Sequence, residues 1–223
     1  MRIAIIGTQG VGKTTLAAQM FAYASQHGMK AKFIHEIARD CPLPLNENFT
    51  TEAATWIVSK HICEEIEARA KGADFIICDR SCFDPVIYAI NKISPNMQAK
   101  EYYRTSPLYR FAEHGLRTYD AIIYVRPVSY EILGDGIRST NPLFQREIDD
   151  LFEKELKYLQ IGFRNYIDKP IIQLYDKYIR INSDEIFNRN NTELFEYLLQ
   201  QRPTSESVIS SQILGSHPYT TRY

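Results

Sequence analysis

The stretch Gly7-Thr8-Gln9-Gly10-Val11-Gly12-Lys13-Thr14 constrains this chain more than any other, because it joins a strand to a helix through a loop that few residue types can build. It satisfies the pattern G-x-x-x-x-G-K-[ST]. Before it runs Arg2-Ile3-Ala4-Ile5-Ile6, a short apolar and largely β-branched segment with the character of a buried strand. After it, Lys13 to Phe21 is rich in helix formers, and the helix is expected to end near His27-Gly28, where glycine takes the left-handed cap position. Strand, glycine loop and helix in that order predict a nest of backbone N–H groups at a helix N-terminus, which is a phosphate site. The expected nucleotide-binding residues are Gly7, Thr8, Gln9, Gly10, Val11, Gly12, Lys13, Thr14 and Thr15. Lys13 supplies a mobile charge for the β- and γ-phosphates, and the Thr14 hydroxyl suits Mg²⁺.

The 223 residues suit one large domain, expected over residues 1–201, followed by a tail at 202–223 rich in serine, threonine and proline. That tail is a candidate contact for a protein partner. A formal net charge of −1 gives no support to a general nucleic-acid surface. No apolar run approaches the ~20 residues that span a bilayer. At the N-terminus, Gln9, Gly10, Gly12 and Lys13 interrupt any leader-like apolar core. Cys41, Cys63, Cys78 and Cys82 form no C-x-x-C pair, and reduced thiols in a cytoplasmic protein are the simplest expectation.

Strand-like runs alternate with helical stretches, the pattern of a parallel α/β sheet. Further strands are expected at Ala31–His35, Asp74–Cys78 and Ala121–Val125, and Ile171–Leu174 and Tyr178–Ile181 are two further strand candidates. A long helix is expected over Thr51–Lys71, with Trp56, Cys63, Ile66 and Ala70 on its spaced apolar face. Ser94-Pro95 and Ser106-Pro107 read as helix starts. Gly134 to Pro142 is a loop by composition. The helix after it has an apolar face at Phe144, Ile148, Leu151, Phe152 and Leu159, and its acidic residues Glu147, Asp149 and Glu153 read as a solvated face. A last helix is expected over 192–201.

In such a sheet, ligands bind beyond the carboxyl ends of the strands, which singles out Glu36, Arg39, Asp79, Arg80 and Arg126. Asp79 suits a Mg²⁺-bound water or the proton of an attacking hydroxyl. An ATP-hydrolysing motor usually follows this aspartate with a glutamate; here Arg80 follows, a residue suited to phosphate or substrate oxygens. The guanine-reading N-K-x-D is approached only by Asn91-Lys92-Ile93-Ser94, so a switch GTPase is disfavoured. Glu36 lies one strand over, where a carboxylate can hold a ribose hydroxyl and act as general base, and Arg39 shares its side of a helical turn. Gly134-Asp135-Gly136-Ile137-Arg138 can open and close as a lid carrying Arg138 towards a transferring phosphoryl group, with Arg146 on the helix beyond it as a further substrate-binding candidate. Lys100, Arg104 and Arg110, among Tyr102, Tyr103 and Tyr109, could serve a second phosphate, but an amphipathic helix pair with exposed basic residues explains them more simply.

These segments together resemble the P-loop kinase family that includes the nicotinamide-riboside kinase domain of the bacterial NAD-biosynthesis regulator, and more broadly the nucleoside and nucleoside-monophosphate kinases. The resemblance covers residues 1 to 200: the loop at 7–14, Glu36-Ile37-Ala38-Arg39 for E-x-A-R, Asp79-Arg80 with Asp84 and Tyr88 for D-R-x-x-x-D-x-x-x-Y, and Asp135-Gly136-Ile137-Arg138 for D-G-x-R. It implies a three-layer α/β/α sandwich with a mainly parallel central sheet and a small lid. It also implies Mg²⁺-assisted transfer from ATP to a small acceptor, with Lys13, Asp79, Glu36 and Arg138 catalytic, and Arg39, Arg80, Asp84 and Arg146 at the acceptor. The first strand begins at Arg2, so no regulatory or adenylyltransferase domain is expected to precede it. Two other readings stay open: a P-loop ATPase acting as a nucleotide-dependent switch or scaffold, and a polynucleotide 5′-kinase.

Overall fold

The computed structural model describes residues 1–93, 97–127, 139–163, 181–182, 196 and 198. The chain divides into two units: the second is Asn191–Tyr223, and the first, Met1–Asn190, holds the sheet. Its strands are β1 (Arg2–Ile6), β2 (Ala31–Ile34), β3 (Phe75–Asp79), β4 (Ala121–Arg126) and β5 (Ile181–Asn182). They form one sheet in the order β2-β3-β1-β4-β5 with every pairing parallel. The helices are α1 (Lys13–Gln26), α2 (Thr51–Ala70), α3 (Asp84–Lys92), α4 (Met97–Arg104), α5 (Pro107–Leu116) and α6 (Pro142–Phe163), with 3₁₀ turns at Ile37–Asp40 and Asn46–Asn48. The predicted α/β class and parallel sheet are therefore found.

β1, β3 and most of β4 are buried along their whole length, as the near-continuous apolar runs require of a sheet covered on both faces. α1 packs on β1, β2 and β3, while α2, α3, α5 and α6 pack among themselves around α3. Right-handed crossovers explain this division: the path from β1 to β2 runs one way across the sheet, and the later crossovers run the other. The connections leaving the neighbouring strands β1 and β3 therefore run in opposite directions, which opens a crevice at their carboxyl ends. Pairing of Ile5 with Asp79 brings that aspartate level with the start of the glycine loop.

Three expectations need correction or completion. α3 is absent from the sequence reading; its short apolar run begins at Asp84-Pro85, with proline in the first turn. The buried face of α2 consists of Ala53, Ala54, Ile57, Val58, His61, Glu65 and Ala68. Cys63, Ile66 and Ala70, expected on the apolar face, are exposed. The polar residues win the interior because they have partners there: Glu65 takes a hydrogen bond from Arg2 at 2.7 Å. Asp149 of α6 is likewise not part of a solvated face. It is fully buried and accepts hydrogen bonds from the Tyr124 hydroxyl at 2.6 Å and from Arg126 at 2.6 and 3.0 Å. The last helix, the Ile171–Leu174 strand candidate, Ser94-Pro95 and the tail lie outside the described residues, save Glu196 and Leu198.

Candidate active site

The glycine loop is built as its residues dictate. Gly7 sits at φ 135°, and a Cβ there would overlap the carbonyl oxygen of Val125. Gly12 takes a left-handed φ of 81° at the start of α1, where no side chain caps the helix and no acidic residue stands in the first turn. The first-turn N–H groups are thus left for an anion. Thr14 and Thr15, on that turn, are exposed, and Thr8, Gln9 and Lys13 are buried. Lys13 donates to the loop carbonyl of Thr8. Burial, and then the charge of Arg80, push its pKa down to about 7.

Asp79 lies at the end of β3 with only 1% of its surface exposed. Its Oδ2 accepts a hydrogen bond from Thr14 at 2.6 Å, and its Oδ1 is buried with no partner among the described residues. A paired hydroxyl and carboxylate with one oxygen in want of a partner fits Mg²⁺, which takes oxygen ligands of this kind. Thr14 and Asp79 are the residues that would hold it.

Next to the loop, residues after β2 and β3 and from α2 and α3 enclose an open cleft with about 640 Å³ of empty space, its mouth included. Its apolar wall includes Ile37, Leu45, Phe49, Ile57, Pro85 and Tyr88; Gln9, Glu36, Arg39, Arg80 and Asp84 bring polar groups to it. Glu36, 7% exposed, is held at both oxygens: Arg80 Nε binds Oε1 and Arg39 Nε lies 3.0 Å from Oε2. The 3₁₀ turn at Ile37–Asp40 puts Arg39 beside Glu36, as the spacing predicts.

Arg80 is the joint of the site. It adopts a left-handed φ of 83°, a conformation costing a non-glycine residue about 1–2 kcal/mol. Its amide bonds to Ile5 at 3.0 Å, and its Nη1 reaches the Gly7 carbonyl at 3.2 Å and Asp84 at 3.3 Å. Burial works against its charge, yet Glu36, Tyr88 and Asp84 hold its pKa well above the usual range. Asp84 also takes hydrogen bonds from the Ser81 amide and hydroxyl at 2.9 and 2.7 Å; burial raises its pKa against the pull of Arg80. A second link to the loop comes from Tyr88, whose hydroxyl donates to Gln9 Oε1 at 3.0 Å.

The loop, Glu36, Arg39, Asp79, Arg80 and Asp84 therefore meet at one crevice. Arg126 does not join them; it is turned to Asp149 and Glu153 of α6. Arg146 is exposed on α6 and is not among the residues lining the cleft. Its neighbour Gln145, which the sequence reading passed over, donates to the Gln9 carbonyl at 2.7 Å and ties α6 to the loop. Arg138 and the rest of Gly134–Arg138 lie outside the described residues. Arg104 is held by both oxygens of Glu155 and Arg110 pairs with Glu113. Tyr109 packs in the core edge-on to Phe83.

No curated protein matches the chain. Among solved structures, deoxyadenosine kinase from M. mycoides with bound dATP is similar at 18% identity over 90% of this chain and 98% of that one, with a TM-score of 0.51. The structure of deoxyadenosine kinase from M. mycoides with products dCMP and a flexible dCDP bound covers the same shares at 17% identity and a TM-score of 0.49. At such identity the likeness to the first is one of fold. The family model described as an AAA domain matches residues 2–169, from β1 through α6 and beyond. That span is most of the 223 residues, and the chain belongs to the AAA-domain family.

Proposed function

We propose that this protein is a kinase for small molecules, moving the γ-phosphoryl group of ATP to a hydroxyl of a nucleoside or related ribosyl compound. The observation that carries the reading is Glu36, a carboxylate fixed on the wall of an apolar cleft by the same Arg80 that touches the glycine loop. A hydrolase needs a carboxylate aimed at water beside the phosphates. Here the residue after Asp79 is an arginine turned to Glu36 and Asp84.

In this mechanism the loop amides and Lys13 hold the β- and γ-phosphates, and Mg²⁺ at Thr14 and Asp79 would neutralise charge on them. Glu36 accepts the proton of the acceptor hydroxyl. The freed oxygen forms a bond to the γ-phosphorus as the bond from that phosphorus to the β,γ-bridging oxygen breaks, and ADP leaves. Arg80 and Arg39 orient Glu36 towards the acceptor. Arg138 is proposed as the lid arginine that neutralises the transferring group, and Arg146 as a further substrate contact.

Cleft charge favours an acceptor without a phosphate of its own. Among the described residues that line the cleft, Glu36 and Asp84 balance Arg39 and Arg80, which suits an uncharged acceptor better than a second dianion. Incubation with γ-labelled ATP, Mg²⁺ and pools of nucleosides, nucleoside monophosphates and oligonucleotides tests the reading. A labelled nucleoside product is expected. Release of free labelled phosphate with no labelled acceptor would favour the switch reading, and label on oligonucleotides the polynucleotide kinase.

A further inference from the structure

His61 is 1% exposed, yet it lines the cleft, on the α2 face that also carries Ile57. Its ring is fixed from behind by a buried polar network. Nε2 lies 3.1 Å from Glu65 Oε1 and 3.3 Å from the Tyr119 hydroxyl. That hydroxyl donates its proton to Glu65 Oε1 and accepts from the Cys82 amide at 3.3 Å, while Arg2 binds Glu65 Oε2 at 2.7 Å.

The direction of these bonds decides the tautomer. Tyr119 has spent its proton on Glu65, and Glu65, paired with Arg2, is an acceptor only. Nε2 therefore carries a hydrogen, which in the neutral form of the ring leaves the lone pair on Nδ1. Nδ1 makes no hydrogen bond to the described residues. His61, Glu65 and Cys78 are also close enough together to suggest a metal site. The Arg2 guanidinium on Glu65 and a Cys78 thiol whose pKa burial drives up both oppose a cation there.

We infer that His61 Nδ1 is the group that selects the acceptor, by accepting a hydrogen bond from an N–H of its heterocycle while the hydroxyl faces Glu36. This rests on the cleft being the acceptor site. The chemical class selected is a ribosyl compound whose ring carries an exocyclic amine or a carboxamide. A ring with no such donor leaves Nδ1 unsatisfied in an apolar wall, and a carboxylate at that point is repelled by its lone pair.

Equilibrium dialysis with two matched pairs tests this without needing turnover: adenosine against purine riboside, and nicotinamide riboside against nicotinic acid riboside. The wild type is expected to bind the N–H member of at least one pair about tenfold or more tightly. His61→Phe, checked for unchanged thermal unfolding and ATP binding, should bring the ratio to within about threefold, and His61→Gln, which restores an acceptor oxygen, should recover part of it. An undiminished preference in His61→Phe overturns the inference and leaves the kinase reading intact, as does equal binding of both members by the wild type. Should His61→Phe fail to fold, His61→Leu takes its place, and an undiminished preference there overturns the inference. If neither pair binds at all, this inference fails, while the kinase reading stands or falls separately by the labelled-acceptor assay.

Discussion

The two halves of the site are built by opposite means. The glycine loop is one contiguous segment whose function resides in backbone N–H groups, and it keeps groups in reserve: an uncapped helix start, a bare Asp79 Oδ1 and a Lys13 folded onto its own loop. The cleft draws its charged groups from segments far apart in sequence, and they are already paired, Glu36 with two arginines and Asp84 with Arg80 and Ser81. A site that waits for charge is made for a polyanion. A site with its charges balanced in advance suits a neutral ligand that must be oriented.

The largest effect should come from removing charge in the loop. Lys13→Ala is expected to lower transfer by about 10³-fold or more and to weaken ATP binding as well, whereas Asp79→Asn should cost turnover more than affinity. Steady-state rates set beside ATP binding by calorimetry check both; equal loss of rate and affinity in Asp79→Asn would make that residue merely structural. Next comes backbone geometry. Gly7→Ala forces a Cβ onto the Val125 carbonyl and should destabilise the fold by roughly 2 kcal/mol, seen as a lower denaturation midpoint.

Proton uptake gives a finer test of the reserve in the loop. With a pKa near 7, Lys13 is mostly neutral at pH 8, and bound phosphates should restore its proton. Calorimetry of ATP binding in buffers of different ionisation enthalpy should show uptake of ~0.9 proton at pH 8 and almost none at pH 5.5. In the free protein the folded state gives up this proton before the unfolded state does. Its stability therefore rises as pH climbs from about 7 towards the ordinary lysine value. The smallest effect is expected at Arg39, whose side chain is a third exposed: Arg39→Ala should change acceptor KM by less than about tenfold and leave ATP affinity alone.

The same contrast decides what the sequence could reveal. The loop is local, so its residue types and spacing disclose it at once. Glu36, Arg80 and Asp79 are legible because each ends a strand, and the sheet rule sends such residues to one edge. His61 escaped because a helix stripe is read by apolarity, and the sequence does not show that Arg2 and Tyr119 wait across the core to receive His61 and Glu65. A histidine and a glutamate four apart on α2, in phase with Ala54, Ile57 and Ala68, was the available signal. Arg126 misled for a related reason: its strand-end position is right, but the buried Asp149 claims it.

The central claim is that Glu36 serves the acceptor and not the donor, and Glu36→Gln measures it most directly. The amide keeps the size of the side chain and loses the base. Phosphoryl transfer to a nucleoside should fall by about 10²–10⁴-fold, with the dissociation constant for ATP within about threefold of wild type. Transfer at an undiminished rate, or loss of ATP binding in step with loss of rate, would contradict it.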